Sequence, residues 1–221
     1  MIWLLVLTVM ILGYFAFSIY RHDDTAFGKE TGYTYFDVLL TSRVRRLNKI
    51  YKTLDRTDGL HRIVVDVAVP TGESTRKVDA LFIHESGIYV MNIKKMGGWI
   101  NGHEEDLQWT QLLHGDEQKP FENPVHDVKR DIYALQEHLP EMNRDAYEAI
   151  VLFTDDCAFQ KIELTSQNVD VVKMKQLKAW TKTLAGQVLS ETEIDTVYSV
   201  VQSMAQKKPV KLAKKKPVAI S

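Results

Sequence analysis

The stretch KVDALFIHESGIYVMNIK, Lys77 to Lys94, decides the fold. Lys77–His84 and Gly87–Lys94 are each rich in β-branched and aromatic residues, as strands are. They are joined through His84-Glu85-Ser86-Gly87, a loop of hairpin length. With Ile83 set opposite Ile88, Asp79 faces Asn92, and Lys94 projects from the same face two residues further on. The other residues on that face are Leu81, Ile83, Ile88 and Val90, all apolar. A carboxylate and an ammonium among such neighbours are costly unless they pair or hold a ligand. Two readings follow: a cross-strand ion pair at the edge of the core, or a functional cluster.

The flanking sequence supplies the rest of a layered domain. Upstream, Leu40, Val44, Leu47, Tyr51 and Leu54 recur at helical spacing, and Asp58-Gly59 marks a turn. Arg62–Val69 reads as a strand, broken at Pro70-Thr71-Gly72. Downstream, Trp99-Ile100 and Leu107–Leu113 are expected strand pieces, with Trp99 and Trp109 packed into the core or sheet. Asn123-Pro124 opens a helix as N-cap and first helical residue. Val125, Val128, Ile132, Leu135 and Leu139 form its stripe, and Pro140 ends it. Glu148–Phe153 and Val169–Val172 read as strands, and Leu177–Leu184 and Glu191–Met204 as helices. The order predicts an α/β class with a mixed β-sheet flanked by helices.

The 221 residues carry 28 Lys+Arg and 29 Asp+Glu, a formal net charge of −1. That balance averages unlike parts. Residues 1–20 carry no charged side chain, and the tail holds Lys207, Lys208, Lys211, Lys214, Lys215 and Lys216 with no acid. Without these six lysines the remainder is acidic, at 22 against 29. The first twenty residues are long and apolar enough for one transmembrane helix, and they lack the basic start and small-residue cleavage site of a signal peptide. Arg21, Lys29, Arg43, Arg45 and Arg46 all follow the span, so the positive-inside tendency places a single-pass protein in the cell membrane with its soluble domain cytoplasmic. The expected organisation is an anchor at 1–20, a juxtamembrane linker at 21–37, a domain at 38–185 with its core at 38–155, a C-terminal helix at 186–206 and a basic tail at 207–221.

Several function classes are excluded. The single cysteine, Cys157, permits no internal disulfide framework. No GxGxxG, Walker-type or GxSxG motif occurs, and the seven histidines lack metal-ligand spacing. His103 with Glu104-Glu105-Asp106 reads as a charged turn rather than a cation site. The basic run Arg43, Arg45, Arg46, Lys49, Lys52, Arg56 and Arg62, like the lysine tail, suits nucleic acid or anionic lipid, or simply a solvated face.

The motifs together resemble the nuclease-related domain (NERD) family. They are Lys77-Val78-Asp79, His84-Glu85-Ser86-Gly87-Ile88-Tyr89-Val90, Asn92-Ile93-Lys94, Gly98-Trp99-Ile100-Asn101-Gly102, Trp109-Thr110-Gln111 and Phe121-Glu122-Asn123-Pro124. The resemblance implies membership of the PD-(D/E)XK nuclease superfamily and a restriction-endonuclease-like sheet. In that chemistry an Asp and a Glu on adjacent strands bind Mg²⁺ through oxygen, and a Lys two residues beyond the Glu orients the attacking water or stabilises developing phosphate charge.

Carried over by position, Asp79 matches the metal-binding Asp and Lys94 the catalytic Lys, but Asn92 stands where the family has Glu. An Asn carbonyl can ligate a hard cation but brings no charge. Two further departures accompany it. The family's Gly-Glu pair in the first helix is replaced by Thr41-Ser42-Arg43-Val44-Arg45-Arg46, and the Gln after Asn-Pro by Asp127. Glu73, Glu104, Glu105 or Asp106 could supply a migrated carboxylate. The expectation is a catalytically degenerate domain, a pseudoenzyme, acting in binding or scaffolding. The alternatives are an active Mg-dependent DNA or RNA nuclease and a structural membrane protein that recognises another protein.

Overall fold

The computed structural model describes residues 2–72, 74–115 and 117–205. The basic tail and Glu73 therefore lie outside the described residues. Contacts divide the chain at Arg45/Arg46 into two units.

In the first unit, α1 (Ile2–Asp23) covers the expected anchor and continues three residues past it. At about 1.5 Å per residue its 22 residues reach about 33 Å, enough to cross a hydrocarbon layer. The side chains of residues 2–17 are all exposed. The linker stretch is largely helical, as α2 (Ala26–Thr31) and α3 (Tyr35–Leu40). Thr25 caps α2 through the Gly28 N–H, and Thr34 and Asp37 form a reciprocal capping box on α3. His22 is buried, with its Nε2 3.0 Å from the Tyr33 carbonyl. The stripe member Leu40 ends α3 and is exposed rather than joining the next helix, α4 (Ser42–Leu54).

The second unit holds two mixed sheets. The first is built from β1 (His61–Thr71), β2 (Ser74–His84), β3 (Gly87–Lys94), β7 (Tyr147–Phe153) and β9 (Val169–Lys173), in the order β1-β2-β3-β7-β9. The first three strands are antiparallel and the last two pairings parallel. The second sheet contains β4 (Gly98–His103), β5 (Gln108–Leu112), β6 (Gln118–Glu122) and β8 (Cys157–Glu163), ordered β6-β5-β4-β8. The parallel pair β3 and β7 thus runs on, through short connections, into the parallel pair β4 and β8 of the second sheet. β1 extends past the expected break at Pro70. Proline is tolerated there because it lies next to the end of an edge strand, where no ladder hydrogen bond is lost.

The expected register is present, with Ile83 opposite Ile88. Leu81, Ile83, Ile88 and Val90 are fully buried in one core with Val128 and Leu135 of α5 (Pro124–His138) and Val197 and Val201 of α7 (Glu191–Met204). Each such side chain contributes roughly 1.5–3 kcal/mol by leaving water. Asn123 starts α5 by accepting from the Val125 N–H at 2.9 Å, and its Nδ2 donates to the carbonyls of Glu104 and Asp106 at 2.8 and 2.7 Å. One side chain therefore caps the helix and fastens it to the β4–β5 turn. Leu177–Leu184 is a short helix, α6 (Leu177–Trp180), followed by a 3₁₀ turn.

The two tryptophans part company. Trp109 is buried, stacks on Phe153 and donates to the His103 carbonyl at 2.9 Å. Trp99, expected in the core or packed on the sheet, lies on β4 and is 52% exposed.

Candidate functional site

The ladder between β2 and β3 stops at Ala80 opposite Met91. Beyond that point β2 stays with β1 and β3 stays with β7, so the strands fork at Asp79 and Asn92. Side chains replace the ladder there. Asp79 Oδ2 accepts from the Ile93 N–H at 2.9 Å, and Asn92 Oδ1 accepts from the Asp79 N–H at 3.4 Å. β1 is irregular at the same level: Asp66, which would face Asp79, is buried and has φ of +60°. Positive φ is uncommon outside glycine, and Asp is one of the residues that tolerates it.

Helix α5 fills the fork. Asp127 and Asp131, one turn apart, lie on the side of α5 that meets the sheet. Asn92 Nδ2 donates to Asp131 Oδ2 at 2.6 Å, and Arg76 Nε donates to the other Asp131 oxygen. Lys94 Nζ lies 2.8 Å from Asp127 Oδ2, and Arg130 Nη2 lies 2.5 Å from Asp127 Oδ1. Side-chain bonds join Asp79 to Asn92 and Ile93 although the ladder stops short of them, Lys94 goes to Asp127, and four groups that sequence reading missed are added: Asp66, Arg76, Arg130 and Asp131. A signal for one existed. Asp131 shares the apolar stripe of α5 with Val128, Ile132 and Leu135, where an unpaired carboxylate would be costly.

The electrostatics follow from burial and partners. Asp131 is 1% exposed, and that burial raises its carboxyl above the ordinary value despite the hydrogen bonds from Asn92 and Arg76. Burial also acts on Asp127, but the bonds from Lys94 and Arg130 prevail and hold it below the ordinary value. Four carboxylates, Asp66, Asp79, Asp127 and Asp131, gather with three cations, Arg76, Lys94 and Arg130, and the cations pair with the two helix acids.

Mg²⁺ needs a cluster of oxygen ligands with surplus negative charge. Here the cations already sit on the helix carboxylates. Asn92 turns its amide nitrogen to Asp131 and its oxygen to a backbone N–H. Among the described residues no group of three or more Asp, Glu, His or Cys is placed to hold a metal ion. These residues do not fit a divalent cation.

The described alternatives for a migrated carboxylate lie elsewhere. Glu104 is 1% exposed and accepts from Lys129 Nζ at 2.7 Å, from the N–H groups of Thr165 and Ser166 at 2.7 and 2.9 Å, and from the Ser166 hydroxyl. Burial opposes its charge, but these donors bring its carboxyl down to about 2. It pins the β8–β9 loop to α5. Glu105 accepts from the Thr165 hydroxyl at 2.9 Å.

The basic run is also divided by the fold. Arg45 donates to the Val38 and Leu39 carbonyls at the end of α3. The Nε of Arg46 is buried, Lys49 is 3.7 Å from Asp155, and Arg62 pairs with Asp195 at 2.9 Å and lies over the Tyr198 ring. Lys207, Lys208, Lys211, Lys214, Lys215 and Lys216 lie outside the described residues.

The model of the family described as "Nuclease-related domain" matches residues 41–154, from the start of α4 to the end of β7. An uncharacterized protein of Bacillus anthracis is 25% identical over 141 residues, covering 62% of this chain and 63% of the relative. The chain therefore spans less than two thirds of that relative's length.

Proposed function

Because the chain belongs to the nuclease-related domain family, we propose that it is a membrane-anchored member whose catalytic centre has become a structural charge network and whose role is binding or scaffolding. One observation carries this reading. The residue at the family's metal-binding Glu position, Asn92, and the residue at its catalytic Lys position, Lys94, are both engaged by α5, at 2.6 Å to Asp131 and 2.8 Å to Asp127. A lysine bonded to a carboxylate is poorly placed to orient a water or stabilise a phosphate. The Asn92 oxygen faces the Asp79 N–H at 3.4 Å and would bring no charge to a cation. In this reading α1 spans the membrane, and the basic residues after it hold the domain on the cytoplasmic side.

The test is Mg²⁺- or Mn²⁺-dependent cleavage of single- and double-stranded DNA and RNA by the full chain in detergent micelles. No cleavage is expected. Cleavage abolished by both Asp79→Ala and Lys94→Ala would overturn the proposal.

A further inference from the structure

A cavity of about 340 Å³ opens at the turn end of the β2–β3 hairpin, in the second unit. Its walls include Arg56 and Thr57 after α4, His84 at the end of β2, and Lys178 and Lys182 of α6 and the 3₁₀ turn. None of these lines the Asp79–Lys94 cluster. His84 lies five residues along β2 from Asp79, roughly 17 Å at strand rise.

Three features of the walls point the same way. Arg56, Lys178 and Lys182 face one carboxylate, Asp58, and no ion pair joins any of the four. All four side chains are exposed, so the repulsion among the three cations is modest in water, and a bound anion relieves it. The Thr57 hydroxyl is buried and has no hydrogen-bond partner in the protein. A buried donor left unpaired costs about 1–3 kcal/mol. The wall beneath is rigid. His84 is buried, with Nε2 2.9 Å from the Asp58 carbonyl and Nδ1 2.6 Å from Ser86 Oγ, which lies 2.8 Å from the Tyr89 hydroxyl. Since a carbonyl only accepts, Nε2 carries the proton, and the ring is neutral with Nδ1 accepting from the Ser86 N–H at 3.1 Å.

We propose that this cavity is a binding site for a small phosphate-bearing ligand, a phosphomonoester or a diphosphate. A dianionic phosphoryl group matches the formal surplus of two positive charges, and its oxygens accept from several donors at once. Rotation of the Thr57 side chain would turn its hydroxyl from the wall towards the ligand as a neutral donor. The volume is near the lower end of small-molecule pockets, about 300–1,000 Å³.

The probe is inorganic pyrophosphate, titrated by calorimetry into the full chain in detergent micelles. Saturable one-to-one binding is expected. Arg56→Gln combined with Lys182→Gln should weaken it at least about tenfold, close to 1.4 kcal/mol. Thr57→Val should weaken it several-fold. Lys161→Gln, on β8 and outside the cavity, should leave it unchanged, and circular dichroism checks that each variant is folded. Dihexanoyl phosphatidic acid in a second arm separates the sources. Tighter binding than pyrophosphate assigns a lipid headgroup, and equal or weaker binding a soluble phosphoester, provided the double variant weakens both. Absence of saturable binding in both arms, or an affinity unchanged in the folded Arg56/Lys182 variant, overturns the proposal.

Discussion

Asn92→Asp changes one atom in the network from a donor to a charged oxygen, and its consequence can be worked from the geometry. The amide nitrogen lies 2.6 Å from Asp131 Oδ2. Two unit charges at that distance repel by about 6 kcal/mol at an effective dielectric of about 20. The protein need not bear all of that, because one carboxyl can take up a proton and donate to the other. From an ordinary value near 4, protonation at pH 7 costs about three pH units at about 1.4 kcal/mol each. Proton uptake therefore caps the penalty at roughly 4 kcal/mol at pH 7. The sign is set by the folded state, which binds a proton that the unfolded chain has released. A carboxyl whose folded value is raised keeps its stability below the unfolded value and loses it as pH rises through the folded one. Relative to the parent, Asn92→Asp should be nearly neutral near pH 4 and should lose up to about 1.4 kcal/mol per pH unit towards neutrality. Urea unfolding followed by tryptophan fluorescence at stepped pH measures this. Adding Asp131→Asn exchanges acid and amide and should recover most of the loss. If Asn92→Asp and the parent give parallel pH profiles, the hydrogen bond to Asp131 does not hold this site together. The same reasoning predicts that Asn92→Glu alone will not reinstate cleavage, since the new carboxylate meets Asp131.

Other consequences follow from particular contacts. Glu104, held at about 2 by its four donors, contributes roughly 3 kcal/mol, which is present above its unfolded value near 4.5 and lost as pH falls towards 2. Glu104→Gln should lower stability at pH 7 by about that amount and flatten the acid limb of the unfolding curve. Gly59 has φ of +91°, and a Cβ there would lie 2.6 Å from Glu85 Oε1 and 2.8 Å from His84 Nε2. Gly59→Ala should therefore cost about 1–3 kcal/mol in the same urea assay. Removing residues 2–23 should move the chain from carbonate-washed membranes to the soluble fraction. Protease protection in right-side-out vesicles should show the domain shielded until the membrane is opened.

Much of the fold is legible locally. β-branched runs, the turn at Asp58-Gly59 and the Asn123-Pro124 start each carry their own geometry, and the register of Ile83 opposite Ile88 follows from the four-residue turn. The second sheet was harder to read. β6 (QKPFE) is mostly exposed and contains proline, and β8 (CAFQKIE) mixes charged and apolar residues without a clean alternation, so their pairing comes from neighbours rather than from propensity. Trp99 stays exposed for a related reason: an apolar residue on a strand is buried only if something covers that face.

By itself the sequence determined the hairpin and its register of Ile83 opposite Ile88, because strand propensity and turn length are properties of a short segment. It also showed that an acid is missing where Asn92 stands. Only the tertiary structure decided what Asp79, Asn92 and Lys94 do. Asp127 and Asp131 lie more than thirty residues beyond Lys94, and Arg76 bonds Asp131 across 55 residues of sequence. Their meeting depends on how α5 crosses the sheet and on the fork between β2 and β3. Charges in a buried fork are stabilised by whichever partners arrive there, and those partners come from packing rather than from periodicity.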